Sequence, residues 1–264
     1  VDVAGTVVES SNAGIAVGTR VVVNGGQLSE TRDGGFAEYV RVPADLAVPL
    51  PAEIDTRTAM GVGTAGYTAA LAIHRMEHNG QTPAMGPIAV TGATGGVGSL
   101  AIDMLSGLGY DVTAITSKTD AGDYLRGIGA ADILSVRGME LGSRPLEKAV
   151  WGGAIDNIGG DVLGWLTRTV TNDGNIAAIG LAAGIKLETT VMPVILRGVN
   201  LLGINSVIVP RVERIAVWER IAADLRPRHL DQIATREVGL DDLAAQLPAY
   251  MDGTVIGRTI VRLQ

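Results

Sequence analysis

From residue 88 onward the chain alternates short apolar runs with longer stretches whose apolar positions recur every three or four residues. Six runs read as strands: 88–91, 112–116, 132–134, 154–158, 175–179 and 201–204, with helix-length segments between most of them. Strict β-α alternation predicts parallel strands joined by right-handed crossovers. The expected fold class is therefore α/β, a doubly wound parallel sheet with a cleft at the carboxyl ends of its strands. Residues 1–50 follow a different rhythm. Four short β-type segments (3–10, 19–25, 36–42 and 46–51) are punctuated by Gly, Asn, Asp and Pro, a barrel-like pattern. A helical pattern starts at Asp55 and runs on through GTAGYTAALAIHRM. A further helix is predicted over 212–225 with Trp218 on its buried face. The tail GRTIVRL (257–263) reads as a strand that returns to the first region.

The first of the six runs opens IAVTGATGGVGS (88–99): a strand, a tight glycine turn and a helix start. A phosphate needs backbone N–H donors at close approach with no Cβ in the way, and the positive end of a helix dipole aimed at it. Against G-x-G-x-x-G the register is Ala93, Gly95, Gly98, with Ala93 in the first glycine's place. By itself the motif is also compatible with a glycine-rich turn before a core helix and no ligand.

Composition narrows the functional classes. With 264 residues and 47% hydrophobic content the chain can bury a sizeable core. A net charge of −7 lacks the basic excess of a nucleic-acid binder. Zero cysteines remove disulfides, thiolate nucleophiles and cysteine-bound zinc, in keeping with a reducing, cytoplasmic setting. No apolar run approaches the roughly 20 residues of a membrane span. The 36 glycines against one phenylalanine favour a turn-rich α/β fold over a β-sandwich.

About 20 residues beyond the turn, where an NAD site places an acid on the adenosine ribose, the sequence reads Thr116, Ser117, Lys118. Hydroxyls and a cation suit a 2′-phosphate, so NADPH is the expected cofactor. Lys118 as a solvated loop lysine and Ser117 as a helix N-cap form the competing account. Arg137, after the third strand, is within reach of the same phosphate or is simply a surface arginine. His74 and His78 have i,i+4 spacing, but Arg75 and Met76 stand where a carboxylate would be needed. A polar helix face is expected there, and no metal.

The stretches DVAGTV (2–7), GGFAEYVRV (34–42), GTAGYTA (63–69), VTGATGGVGS (90–99), SRPLEKAVWGGAID (143–156), TTVMPVILRGVNLLGINSV (189–207) and GRTIVRL (257–263) together resemble the zinc-free quinone-oxidoreductase branch of the medium-chain dehydrogenase/reductases. Within that branch they are most similar to the NADPH-dependent acryloyl-CoA reductases. The resemblance implies a Rossmann-like NADP-binding domain over 62–207 and a truncated GroES-like β-barrel catalytic domain over 1–61. Residues 208–264 would be a C-terminal helix and strands returning to that catalytic domain. It places Thr94, Gly95, Gly96, Val97 and Gly98 at the pyrophosphate and Thr116, Ser117 and Lys118 at the 2′-phosphate, with Arg137 near the adenosine. Leu181, Ile195 and Ser206 would lie beside the cofactor, although Leu181 and Ile195 read equally as core. Thr64 would lie near the nicotinamide with its hydroxyl free for the carboxamide, or would cap the helix that follows.

Family members carry a further segment before the position of Asp2, so a fragment of a longer protein is expected rather than a shortened form with an open barrel, whose strand edges would be unpaired; no catalytic side chain is assigned. The implied reaction is hydride transfer to the β-carbon of an α,β-unsaturated thioester, without metal, in a homodimer. Arg211, Arg214, Arg226 and Arg228 are candidate cations for a Coenzyme A tail. A quinone or enone reductase and a non-catalytic NADPH-binding protein are the alternatives.

Overall fold

Among the described residues, two short ladders hold the amino-terminal region. In the computed structural model, which describes residues 1–263, β1 (Asp2–Thr6) pairs antiparallel with β2 (Arg20–Asn24), and β2 with β3 (Val48–Pro49). The predicted strand over 36–42 does not form. Phe36 is 61% and Tyr39 72% exposed, and the segment has no ladder partner among the described residues. A β-type residue pattern becomes a strand only where a second backbone supplies the hydrogen bonds. β1 is left as an edge strand, and a groove of about 360 Å³ runs along it, lined by Val3, Phe36, Met60, Leu247 and Tyr250 among others.

α1 (Thr56–His78) starts at Asp55, whose carboxylate accepts from the Thr58 N–H at 2.7 Å. Its apolar, alanine-rich middle is buried from Ala65 to Ile73, and small side chains let it lie close to its neighbours. The helix breaks at Gly63, where φ is +51° and ψ −163°, a backbone shape that a residue with a Cβ rarely adopts.

The parallel sheet follows. β4 (Ile88–Thr91), α2 (Gly96–Gly107), β5 (Val112–Thr116), α3 (Gly122–Gly127), β6 (Asp132–Ser135), β7 (Trp151–Asp156), α4 (Gly160–Thr169), β8 (Val170–Ala178), α5 (Val191–Arg197) and β9 (Asn200–Gly203) succeed one another. The six strands are ordered β6-β5-β4-β7-β8-β9 and every neighbouring pair is parallel. The central strands β4, β5 and β7 are buried at every position, which their near-continuous apolar runs require once both faces are covered. Strand order reverses between β4 and β7, which opens a crevice at their carboxyl ends.

α6 (Arg211–Ala222) buries Trp218 fully, stacked on Tyr67 of α1 with ring centroids 6.3 Å apart. After α7 (Leu230–Ile233), β10 (Arg236–Gly239), α8 (Leu243–Met251) and β11 (Thr259–Arg262) form a strand-helix-strand unit. The tail forms its expected strand; β11 ladders in parallel with β10 and lies across the groove from β1, lining it with Thr259, Ile260 and Val261, without a hydrogen-bonded ladder to β1. The intervening helix supplies the crossover that a parallel pair needs. No helix among the described residues is long and apolar enough to cross a membrane.

Candidate functional site

Because the sheet is parallel, every loop that leaves a strand's carboxyl end emerges along one edge. The glycine turn follows β4, Ser117 and Lys118 follow β5, Arg137 follows β6, Leu181 follows β8 and Ser206 follows β9. Topology therefore gathers residues far apart in sequence onto one rim.

In the turn, Gly95 is the N-cap of α2 and offers no side chain to its first N–H groups, which lack helical acceptors by geometry. Gly98 has a packing reason: a Cβ there would stand 2.8 Å from Ala93 Cα and closer still to the Gly92 carbonyl oxygen. Helix and strand can thus approach only through a bare backbone, with Gly96 and Val97 presented at the positive end of the helix dipole. This cradle fits a pyrophosphate.

Lys118 is half-buried and donates from Nζ to the Val255 carbonyl at 2.8 Å. Gly257, two residues on, donates its N–H to the Thr94 carbonyl at 2.9 Å. One strap of backbone therefore ties Lys118 to the glycine turn. Burial pushes the Lys118 ammonium below its usual pKa; Asp120 opposes this and Arg236 adds to it. A second negative charge nearby would relieve that cost. Thr116 is buried, its hydroxyl accepting from the Lys118 N–H at 3.1 Å, while Ser117 is exposed and is not a helix cap.

At the kink of α1, the Thr64 hydroxyl is not free as the sequence suggested. It donates to Asp2 Oδ1, and the Thr64 N–H donates to Asp2 Oδ2 at 2.8 Å. Asp2 thereby caps the second half of α1 from outside the helix. Ala65, the next residue, faces the turn: a Cβ on Gly96 would lie 3.2 Å from the Ala65 Cβ. The kink and the turn are in contact.

The remaining candidates divide. Leu181 is 65% exposed in a loop folded against Gly159, its Cα 3.2 Å from where a Gly159 Cβ would be. Ile195 is 72% exposed on α5. The core-packing account fails for both. The Ser206 carbonyl lies beside Gly25, between β2 and the sheet, and Arg137 is exposed. Arg214 is buried, donating to the Asn24 and Val207 carbonyls with its guanidinium 5.4 Å from the centroid of the Tyr67 ring, so it is unavailable to a Coenzyme A tail. Arg211 is likewise committed, to the carbonyls of Ala44, Asp45 and Ala47, and Arg228 to Ser106 and Asp103. Arg226 is exposed. No group of three potential metal-ligating side chains is found among the described residues.

Three rim residues were not singled out from sequence. Asp156, at the end of β7, is fully buried; burial raises its carboxyl pKa, and bonds from the Thr91 hydroxyl and the Gly159 N–H oppose the rise. Asn157 donates to the Thr91 carbonyl at 2.7 Å beneath Gly92, leaving its Oδ1 buried without a partner. Arg258 runs beneath Gly96, a Cβ on which would lie 3.4 Å from Arg258 Cγ. Burial lowers its pKa and its Nε has no partner. Adjacency of β4 and β7 at the order reversal was the signal for the first two; nothing local marks Arg258.

No family model matches the chain. Individual relatives do. A putative quinone oxidoreductase, YhfP, of Bacillus subtilis is 45% identical over 264 residues, all of this chain and 80% of that protein. The acrylyl-CoA reductase AcuI of Ruegeria pomeroyi is 44% identical over 262 residues, 99% of this chain and 79% of that one. The crystal structure of the yhdH oxidoreductase of Salmonella enterica in complex with NADP superposes with a TM-score of 0.96 at 42% identity, covering 100% of this chain and 81% of that one. Shared residues along the whole chain and a shared fold lead to one conclusion: the chain belongs to the zinc-free quinone-oxidoreductase branch of the medium-chain dehydrogenase/reductases.

Proposed function

We propose that this protein reduces the C=C bond of an α,β-unsaturated acyl-CoA, acryloyl-CoA to propionyl-CoA, at the expense of NADPH. The observation that carries the cofactor is Lys118, half-buried and roped to the glycine turn at the end of β5, where an NAD site would present an acid. The substrate class rests on the extent of the likeness to the acrylyl-CoA reductase, 262 residues at 44%.

When bound, NADPH supplies a hydride to the substrate β-carbon, and a proton then adds at the α-carbon. In this reading Gly95, Gly96, Val97 and Gly98 hold the pyrophosphate by backbone N–H groups, with Thr94 beside them. Thr116, Ser117 and Lys118 face the 2′-phosphate, and Arg137 lies toward the adenosine. Thr64 meets the nicotinamide, while Leu181, Ile195 and Ser206 flank the cofactor. The chain's own contribution is position and exclusion of water. A homodimer is part of the proposal, supported by the free edge of β9 and by Val191, Val194 and Leu196 exposed on the adjoining α5. So is a cytoplasmic setting, with neither nucleic acid nor membrane as partner.

Steady-state NADPH oxidation with acryloyl-CoA against a simple quinone tests the substrate. Turnover confined to the quinone would replace this reading with the second one, a quinone or enone reductase, which the likeness to YhfP favours. Thermal stabilisation by NADPH with no oxidation of it on either substrate would point to a binding protein.

A further inference from the structure

The first strand reaches the cofactor site through one side chain. Asp2 Oδ1 accepts from Asn24 Nδ2 at 3.0 Å and from the Thr64 hydroxyl, and Asp2 Oδ2 accepts from the Thr64 N–H at 2.8 Å. Arg258 Nη2 stands 3.9 Å from Oδ2. The orientation of the Asn24 amide is fixed independently. Trp218 Nε1, which is only a donor, donates to Asn24 Oδ1 at 3.0 Å, so the amide nitrogen must be the end that faces Asp2. Every neighbour of this carboxylate is therefore a donor.

A carboxylate only accepts, and a hydroxyl has one proton. With that proton and the adjacent N–H both given to Asp2, Thr64 has nothing left to donate. Its oxygen offers lone pairs alone. The backbone is shaped for this arrangement: Gly63 takes its positive φ there, and a Cβ on it would press on the Arg258 guanidinium and lie 2.9 Å from Asp2 Oδ2.

We propose that Asp2 is a positioning residue that commits Thr64 to accepting a hydrogen bond from the nicotinamide carboxamide, and so fixes which end of the carboxamide faces it. This rests on the placement of Thr64 at the nicotinamide proposed above. The carboxamide carries one donor end and one acceptor end. An obligate acceptor beside it selects the NH₂ end and so sets the rotation of the group against the pocket.

Calorimetric titration tests this with three probes: NADP⁺, its 3-acetylpyridine analogue, in which a methyl ketone replaces the carboxamide and removes the NH₂ donor, and 2′,5′-ADP, which has no nicotinamide. The protein as it stands is expected to prefer NADP⁺ over the analogue by roughly tenfold, the worth of one hydrogen bond. In Asp2→Asn the amide oxygen keeps the place of Oδ2, where the fixed Thr64 N–H and Arg258 are both donors, so the NH₂ faces the rotatable Thr64 hydroxyl, donates to it and turns its proton toward the cleft. The preference should then fall to within about twofold while affinity for 2′,5′-ADP is unchanged. Thr64→Val should lose the preference, Thr64→Ser should keep it, and Asp2→Asn with Thr64→Val should be no worse than Thr64→Val alone.

Equal weakening of all three probes in Asp2→Asn would make Asp2 merely structural and overturn the proposal, as would an intact preference. If Asp2→Asn fails to fold, Asp2→Ser, too short to hold the hydroxyl proton, is read by the same criteria. A protein that binds neither NADP⁺ nor 2′,5′-ADP would refute the cofactor reading itself. One that binds both but shows no preference refutes only the role of Asp2.

Discussion

Lys118 Nζ lies 2.8 Å from the carbonyl oxygen of Val255, a residue 137 positions away in the chain. The contact holds a cation at the end of β5 within the same rim as the glycine turn, because Gly257 is bonded to Thr94. It also places the ammonium against a neutral acceptor, where Asp120 only partly offsets its burial.

Lys118→Glu should therefore weaken NADPH binding by tenfold or more, roughly, by repelling a 2′-phosphate, while NADH binding changes by less than about twofold. Calorimetric titration with both nucleotides decides it. Equal losses would remove Lys118 from the phosphate.

Gly98→Ala brings a methyl group to 2.8 Å from Ala93 Cα. With backbone on the opposing side and no flexible side chain to yield, the cost should be about 1–3 kcal/mol of stability. Gly5→Ala in β1 meets nothing within 4 Å, and should stay within about 0.5 kcal/mol of the parent. Denaturant unfolding of the two variants side by side measures the difference, and similar values would mean that the turn relaxes.

Arg75 and Glu213 join α1 to α6 by two bonds, at 2.8 and 3.1 Å. The guanidinium holds the Glu213 carboxyl below its usual pKa, burial opposing. A depressed folded-state pKa gives stability that is present above the unfolded value and is lost as pH falls through the folded one. Arg75→Met should accordingly cost about 1–2 kcal/mol at neutral pH. That cost should shrink as the solution is acidified through the carboxylate range. A cost independent of pH would assign it to packing of the arginine stem.

Trp218 fills the space between α6 and Tyr67 and also orients Asn24. Trp218→Ala should destabilise by about 3–5 kcal/mol through the cavity it leaves. Trp218→Phe should cost less, because its ring still fills most of the space against Tyr67 and Asp2 still accepts from the Asn24 amide. Thermal unfolding of the two variants side by side measures the difference, and equal losses would assign the cost to the indole N–H bond to Asn24 rather than to the cavity.

Much of the fold was legible because its signals are local. A strand buried on both faces must be apolar throughout, so the runs at 88–91 and 112–116 marked β4 and β5 at their observed bounds. Helix periodicity located α1 and put Trp218 inside α6. The segment 36–42 misled for the converse reason: its residues favour a strand, but it joins no hydrogen-bonded ladder among the described residues. Arg214 misled as well, since a charged residue in a predicted helix reads as solvated until the carbonyls of Asn24 and Val207 are seen to meet it.

The order of residues alone settled that strands and helices alternate, that a bare glycine backbone opens a helix after β4, and that a lysine rather than an acid follows β5. These depend on periodicity and on Cβ sterics within a few residues. Only the folded chain decided that β11 joins β10, that the Thr64 proton belongs to Asp2, and that Lys118 is anchored to Val255. Each of those joins backbone or side chains distant in sequence, and which donor meets which acceptor is fixed by packing that no local pattern encodes.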